Sequence, residues 1–364
     1  MNQLAFSIRY ALILSIGWII YPSLPTLAQE GQLLQITVHG PSLENNRLGL
    51  STTRETAVYL PPSYQTSPSR RYPVLFILHG ITDPITVWTE SWDPSNSEFG
   101  TIQDLMDRGI AEGLLEEMIV VIPDARTPFY GCHYANSPVK GNWQDFITKD
   151  LVDYIDSNYR TRSSASSRGI MGHSMGGHGA IRIGLQHPEI FSVVYGMNPS
   201  LMGWGGDVSA ENPAFETLLS SSDPTPYFES NFYVPAIIGV SQAFSPNPDN
   251  PPFYADYPFR MENGAIVPNP EAFDRWEENF PKSMISDYLA DTQRLQGLRF
   301  DSAFIDEFSH IPPTTKAFSD ALSAQNVPHI FEMYNGDHRN RLWGSSGRLY
   351  TEVLPYFSRL LSVN

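Results

Sequence analysis

The sequence predicts an α/β fold: a mostly parallel central sheet, helices on both of its faces, and an insertion over one end. Three observations predict it. Short continuous apolar runs, Tyr72–Leu78 (YPVLFIL), Met118–Ile122 (MIVVI) and Phe191–Tyr195 (FSVVY), have the pattern of strands buried on both faces. Helical rhythms lie between them, clearest over 142–159, where Trp143, Phe146, Ile147, Leu151, Val152 and Ile155 share a face. Finally, Gly172-His173-Ser174-Met175-Gly176 joins the short apolar stretch from Arg168 to a small-residue helical segment ending near His187, a strand, a sharp turn and a helix.

Composition sets the frame. The chain has 364 residues, 41% hydrophobic and 17% charged, with 30 prolines and 26 glycines, which suits a large core-forming domain with many loops. A formal net charge of −16 argues against nucleic acid or an anionic membrane surface as a partner. With one cysteine, Cys132, no internal disulfide forms. At the N-terminus Arg9, the apolar run Tyr10–Tyr21 and the small-residue pattern Thr26-Leu27-Ala28 read as a secretory signal over residues 1–28. The domain would then occupy 29–364, secreted or in the periplasm or envelope. The apolar run is short beside the roughly 20 residues of a membrane span, so no stable insertion is expected after cleavage; a retained anchor is the alternative.

The elements follow in order. Leu33–Val38 and Glu55–Leu60 alternate apolar and polar residues, as half-buried antiparallel strands do, and Pro61-Pro62 ends the second. The Tyr72–Leu78 strand stops at His79-Gly80-Ile81. Thr101–Leu115 reads as a helix, Met118–Ile122 as a strand ended by Pro123-Asp124, and Asn142–Tyr159 as a helix. After Phe191–Tyr195 the rhythm breaks from about 200 to 291. This stretch is rich in Pro, Asn and aromatic residues, with two predicted helices, Glu271–Phe280 and Lys282–Leu289, split by Pro281. So many aromatic residues predict a folded insertion, a partial lid or substrate wall, rather than disorder. Leu298–Ile305 resumes the sheet, Thr314–Gln325 is a helix, His329–Tyr334 the last strand and Leu342–Leu361 the closing helix.

The turn at 172–176 fits G-x-S-x-G, a nucleophile elbow, in which Gly172 and Gly176 remove side chains that would clash. A serine hydroxyl needs a base, and the base needs a third group to hold its tautomer. Beyond Ser174 the sequence supplies an acid and a histidine, each after a strand: Asp306, then His338. For the acid, Asp306 competes with Glu307 and with Asp301, which lies early in its strand and is expected to point into or across the sheet. His173 and His178 lie too close to Ser174 in sequence to act as its base and are expected to pack locally. His310 and His329 read as ordinary surface or strand residues. Oxyanion donors are expected from the backbone N–H groups of Met175 and Ile81. No cluster has metal-ligand spacing, no cofactor is predicted, and Asp93–Glu98 reads as a solvated turn.

Tyr59-Leu-Pro-Pro-Ser-Tyr64, His79-Gly80, Val121-Ile-Pro-Asp124, Gly141-Asn-Trp-Gln-Asp-Phe146, Gly172–Gly177, Phe300–Phe308 and Gly336-Asp-His338 with Trp343 together resemble the esterase D-like group of α/β hydrolases. That group includes S-formylglutathione hydrolases, feruloyl and acetylxylan esterases and mycolyltransferases. The resemblance implies an α/β-hydrolase fold, nucleophile Ser174, acid Asp306, base His338 and oxyanion donors Ile81 and Met175. It also implies Tyr130 and Trp143 as candidate substrate contacts. The chain departs from the group's usual pattern at Ala303 and Asn340 and in its long insertion, which leaves the substrate open. The implied function is a secreted serine esterase acting on a small or polysaccharide-linked ester. Acyl transfer to a sugar or lipid alcohol in the envelope is the alternative, and a non-catalytic binding protein on a hydrolase scaffold a third. Nothing in the sequence sets the oligomeric state.

Overall fold

The computed structural model describes residues 30–91 and 99–361. Residues 1–28, expected as a secretory signal, and Asp93–Glu98, expected as a solvated turn, lie outside the described residues. The sheet has eight strands: β1 (Gln32–His39), β2 (Thr53–Leu60), β3 (Val74–Leu78), β4 (Ile119–Pro123), β5 (Arg168–His173), β6 (Val193–Met197), β7 (Gly297–Ala303) and β8 (Ile330–Tyr334), in the order β1-β2-β4-β3-β5-β6-β7-β8. β1 pairs antiparallel with β2, and β2 antiparallel with β4; every later pairing is parallel.

The apolar runs are continuous because each central strand feeds two cores. Val74, Phe76 and Leu78 face one, Leu75 and Ile77 the other. On the first face lie a long helix, α2, of segments Trp143–Asp145, Phe146–Leu151 (a π turn) and Val152–Asn158, then α3 (Met175–Gln186) and α8 (Ile311–Ala324). On the other face lie α1 (Ile102–Ala111), started by a Thr101–Asp104 capping box, and the closing helix α9 (Leu354–Leu361). The closing helical segment starts with a π turn at Leu349–Val353 rather than at Leu342, since Gly344 has φ +99° and a Cβ at Gly347 would lie 2.4 Å from Trp343.

The insertion is folded. It contains α4 (Pro213–Ser220), α5 (Tyr233–Phe244), a hairpin of Phe259–Glu262 and Ala265–Pro268, α6 (Pro270–Asn279) and α7 (Ile285–Ala290). Phe215, Leu218, Val234, Ile238 and Phe259 give it an apolar cluster of its own. Helices α4 and α5 were not expected from the sequence.

Register brings the chemistry together. Leu78 pairs with Gly172, His173 with Met197, Met197 with Asp301 and Ala303 with Tyr334. The carboxyl ends of β3, β5, β6, β7 and β8 therefore finish level, and the loops after them meet at one edge, where ligands of open α/β sheets bind.

Candidate active site

Ser174 sits between β5 and α3 with φ +57° and ψ −118°, a conformation L-residues rarely adopt. Its N–H donates to the Met197 carbonyl at 2.9 Å, which ties the turn to β6. The glycines are obligatory for close approach: a Cβ at Gly176 would lie 1.9 Å from the Leu78 carbonyl oxygen, and one at Gly172 2.2 Å from the Gly176 carbonyl. Met175 is the first residue of α3, so its N–H is one of the donors left without an intrahelical partner.

The loop after β3 is held from several sides. His79 Nδ1 donates to the Gly80 carbonyl (2.8 Å), its Nε2 accepts from the Ala125 N–H (2.8 Å), and the Tyr134 hydroxyl donates to the His79 carbonyl (3.0 Å). Ile81, next in the chain, lines the same cavity as Ser174.

The three candidate acids separate cleanly. His338 Nδ1 donates to Asp306 Oδ2 at 2.8 Å, and both side chains are buried. The other Asp306 oxygen accepts from the Phe308 N–H (2.9 Å), which sets the carboxylate's rotation. Glu307 is exposed and, among the described residues, accepts a hydrogen bond from the His338 backbone N–H alone (3.3 Å). Asp301 is turned away under the sheet, where it accepts from Arg348 Nε (2.9 Å) and the Tyr195 hydroxyl (2.8 Å); burial raises its pKa. His338 Nε2 is buried and has no hydrogen-bond partner among the described residues, so it is not bonded to the Ser174 hydroxyl. Serine–histidine contacts in unliganded enzymes are often this loose.

An open cavity lies over Ser174. Most of its lining comes from the insertion, including Leu201, Phe215, Phe232, Ile237, Val240 and Trp276, so the wall is apolar and aromatic. Phe308 and His310 close it on the side of the acid loop.

Three residues stand apart from their expected places. Trp143 is fully buried in the core beneath the sheet, its Nε1 donating to the Lys140 carbonyl (2.9 Å) and its ring covered by Arg54 at 5.0 Å; it does not line the cavity. Tyr130 stands one ring back, stacked at 5.2 Å and 15° on the cavity-lining Phe232. His310, expected to be an ordinary surface or strand residue, is buried, lines the cavity and donates to Asp207. Phe232 lines the cavity as one of the insertion aromatics expected to wall it; His133, Asp207 and Tyr233 also line it and were missed. No local pattern marks them, because their partners lie far away in the chain.

A family model described as "Putative esterase" matches residues 49–231, half of the chain. The chain belongs to this esterase family. The matched segment carries Ser174 and ends before Asp306 and His338. Among curated relatives, an esterase of Mycobacterium tuberculosis is 31% identical over 126 residues, covering 34% of this chain and 24% of the relative. An endo-1,4-beta-xylanase/feruloyl esterase of Xylanibacter ruminicola is 31% identical over 137 residues, covering 37% and 18%. An S-formylglutathione hydrolase of Mus musculus is 29% identical, covering 44% and 58%. The chain thus spans about a quarter or less of the first two relatives' length and under two thirds of the third. Among solved structures, a ferulic acid esterase superimposes with a TM-score of 0.62 at 23% identity, covering 92% of this esterase-family chain and 100% of the other. An S-formylglutathione hydrolase from Staphylococcus aureus gives 0.53 at 16% identity, covering 91% and 99%. The shared architecture is the α/β-hydrolase fold.

Proposed function

We propose that this protein is a secreted serine esterase that hydrolyses carboxylic esters through an acyl-Ser174 intermediate. The observation that carries the proposal is the buried 2.8 Å His338–Asp306 pair, with the His338 ring packed 4.6 Å from that of His173, the residue before a cavity-lining serine held at positive φ. In this reading Asp306 keeps the His338 proton on Nδ1 and leaves Nε2 to take the Ser174 proton. Ser174 Oγ attacks the ester carbonyl, and the Met175 and Ile81 N–H groups stabilise the oxyanion. His338 returns the proton to the leaving alcohol. Water, activated by the same imidazole, then releases the acid. The chain supplies every group in this sequence.

The character of the wall supports a substrate class. An apolar, aromatic cavity suits an acyl group with apolar or aryl surface, as in acyl or feruloyl decorations of polysaccharide. The relatives named as feruloyl esterases agree with that choice. The insertion, about 200–291, acts here as the substrate wall. Residues 1–28 are proposed as a cleaved signal, and no helix among the described residues is long and apolar enough to cross a membrane.

The deciding experiment assays p-nitrophenyl acetate and butyrate with wild type and Ser174→Ala. Loss of turnover in the variant supports the assignment, and equal activity in the two overturns it. The apolar wall also favours a second reading, acyl transfer to a sugar or lipid alcohol, because it would shield an acyl-enzyme from water. Product analysis with added glycerol or trehalose distinguishes new ester from free acid.

A further inference from the structure

The loop carrying Asp306 is fastened at both ends, by different parts of the chain. At its start the sheet holds it: the Phe304 N–H donates to the Tyr334 carbonyl (2.9 Å) and the Ile305 N–H to the Gly336 carbonyl (3.2 Å). At its end the insertion holds it. Asp207 Oδ1 accepts from both the backbone N–H (2.9 Å) and Nδ1 (2.5 Å) of His310, and the Asp207 N–H donates to Ser309 Oγ (3.0 Å). The approach is tight. Gly206 has φ +49°, and a Cβ there would lie 2.6 Å from Ser309 Oγ and 2.7 Å from His310 N.

The clamp is itself supported. Tyr233, on α5, donates its hydroxyl to Asp207 Oδ2, and His310 Nε2 accepts from the Leu201 N–H (3.2 Å). Burial alone would push the Asp207 carboxyl up. The His310 imidazole and backbone N–H and the Tyr233 hydroxyl outweigh it and hold the carboxyl down to about 2, so it stays ionised. Between the two fastenings lies Phe308. Its ring meets His338 edge-on at 4.8 Å and Phe232 at 5.7 Å, and its N–H holds Asp306 Oδ1. Moving 308–310 would therefore rotate the carboxylate that faces His338.

We propose that Asp207 is a positioning residue for the acid: by clamping His310 it fixes the 306–310 loop and holds Asp306 in line with His338. The insertion is then part of the catalytic scaffold as well as a wall of the cavity. This rests on the reading of Asp306 and His338 as acid and base.

The test is a double-mutant cycle on p-nitrophenyl acetate, whose small acyl group makes little use of the wall. Wild type, Asp207→Ala, Asp306→Asn and the double variant are compared. Asp207→Ala is expected to lower kcat by roughly tenfold or more with KM within about twofold, as misplacement of a catalytic group does. The double variant is expected to fall within about twofold of Asp306→Asn alone, because Asp207 acts through a group already removed. A kcat for Asp207→Ala within twofold of wild type overturns the proposal, and so do two losses that multiply. Wild-type kcat in Asp306→Asn would instead overturn the acid assignment. If Asp207→Ala does not fold, His310→Phe carries the same test, since it keeps an aromatic ring and removes the side-chain donor to Asp207 while leaving the backbone one.

Discussion

His173 Nε2 donates a hydrogen bond to the backbone carbonyl of His338 at 2.8 Å, and the two rings lie 4.6 Å apart. The residue just before the proposed nucleophile thus holds the backbone of the proposed base. Burial, with His338 and Arg339 nearby, lowers the His173 pKa well below the usual range, so the ring is neutral with its proton on Nε2. Asn198 Nδ2 donates to the same carbonyl at 3.1 Å. His173→Phe should therefore reduce kcat severalfold rather than abolish it, on the order of 3- to 10-fold, with little change in KM. Steady-state kinetics on p-nitrophenyl butyrate measure it, and removing Asn198 in the same background should deepen the loss.

The three carboxylates on and just after β7, Asp301, Asp306 and Glu307, should differ in kind. Asp306→Asn is expected to lower kcat by about 10³- to 10⁴-fold at unchanged thermal stability, because the amide favours the wrong imidazole tautomer. Glu307→Gln should stay within about threefold of wild type, since that side chain is exposed and touches only backbone. Asp301→Asn should instead lower stability, by about 1–3 kcal/mol, because the buried Arg348 loses the carboxylate facing its Nε and keeps only its Glu332 ion pair among the described residues. Parallel kinetics and urea denaturation separate the three.

Gly176→Ala tests the elbow without touching a reactive group. A methyl 1.9 Å from the Leu78 carbonyl oxygen forces α3 away from β3. The expected loss is more than about 3 kcal/mol of stability or failure to fold, read by urea unfolding or soluble yield. Gly239→Ala should act similarly, since its methyl would meet the Phe129 carbonyl at 1.8 Å.

Lys140 sets a pH dependence. The ammonium is fully buried and donates to the Gly131 carbonyl at 2.5 Å, and burial lowers its pKa from the ordinary 10.5 to about 7. Below that pH the lysine is charged in both states and the folded state carries the full desolvation cost. Between about 7 and 10.5 the folded protein releases the proton while the unfolded chain keeps it. Stability from this residue therefore rises with pH, by at most about 1.4 kcal/mol per unit. Lys140→Met should flatten that rise, and urea midpoints from pH 6 to 9 for the two proteins show it.

Expression with residues 1–28 in a host with a secretory pathway should yield protein beginning at Gln29 outside the cytoplasm. N-terminal sequencing of the fractions checks it, and full-length protein in the membrane fraction would favour a retained anchor.

Much of the scaffold was legible because its signals are local. Runs such as Leu75 to Leu78 are apolar because both faces of the strand are covered, and that pattern needs no partner to be seen. The helices of the insertion were harder. Every residue from Val234 to Phe244 in α5 is buried, so no polar face alternates with an apolar one and the 3.6-residue rhythm disappears. Helix α4 has only eight residues. His310 was misread for another reason: its acceptor, Asp207, lies 103 residues earlier in the chain. Trp143 was expected as a substrate contact from the family resemblance, yet its place on the sheet-facing side of α2 puts it in the core.

The sequence by itself determined the order of the candidate chemistry, Ser174, then an acid among Asp301, Asp306 and Glu307, then His338, because these follow or lie on successive strands and parallel strands end at one edge. It also determined the elbow, whose two glycines are demanded by contacts within a few residues and with the adjoining strand. Only the tertiary structure decided which carboxylate faces His338, since Asp301, Asp306 and Glu307 are near neighbours in sequence and differ only in direction. It alone showed that the insertion reaches back through Asp207 to hold the acid loop. Hydrogen bonds between groups so far apart leave no periodic trace in the chain; they exist only once packing has brought the two segments within 3 Å.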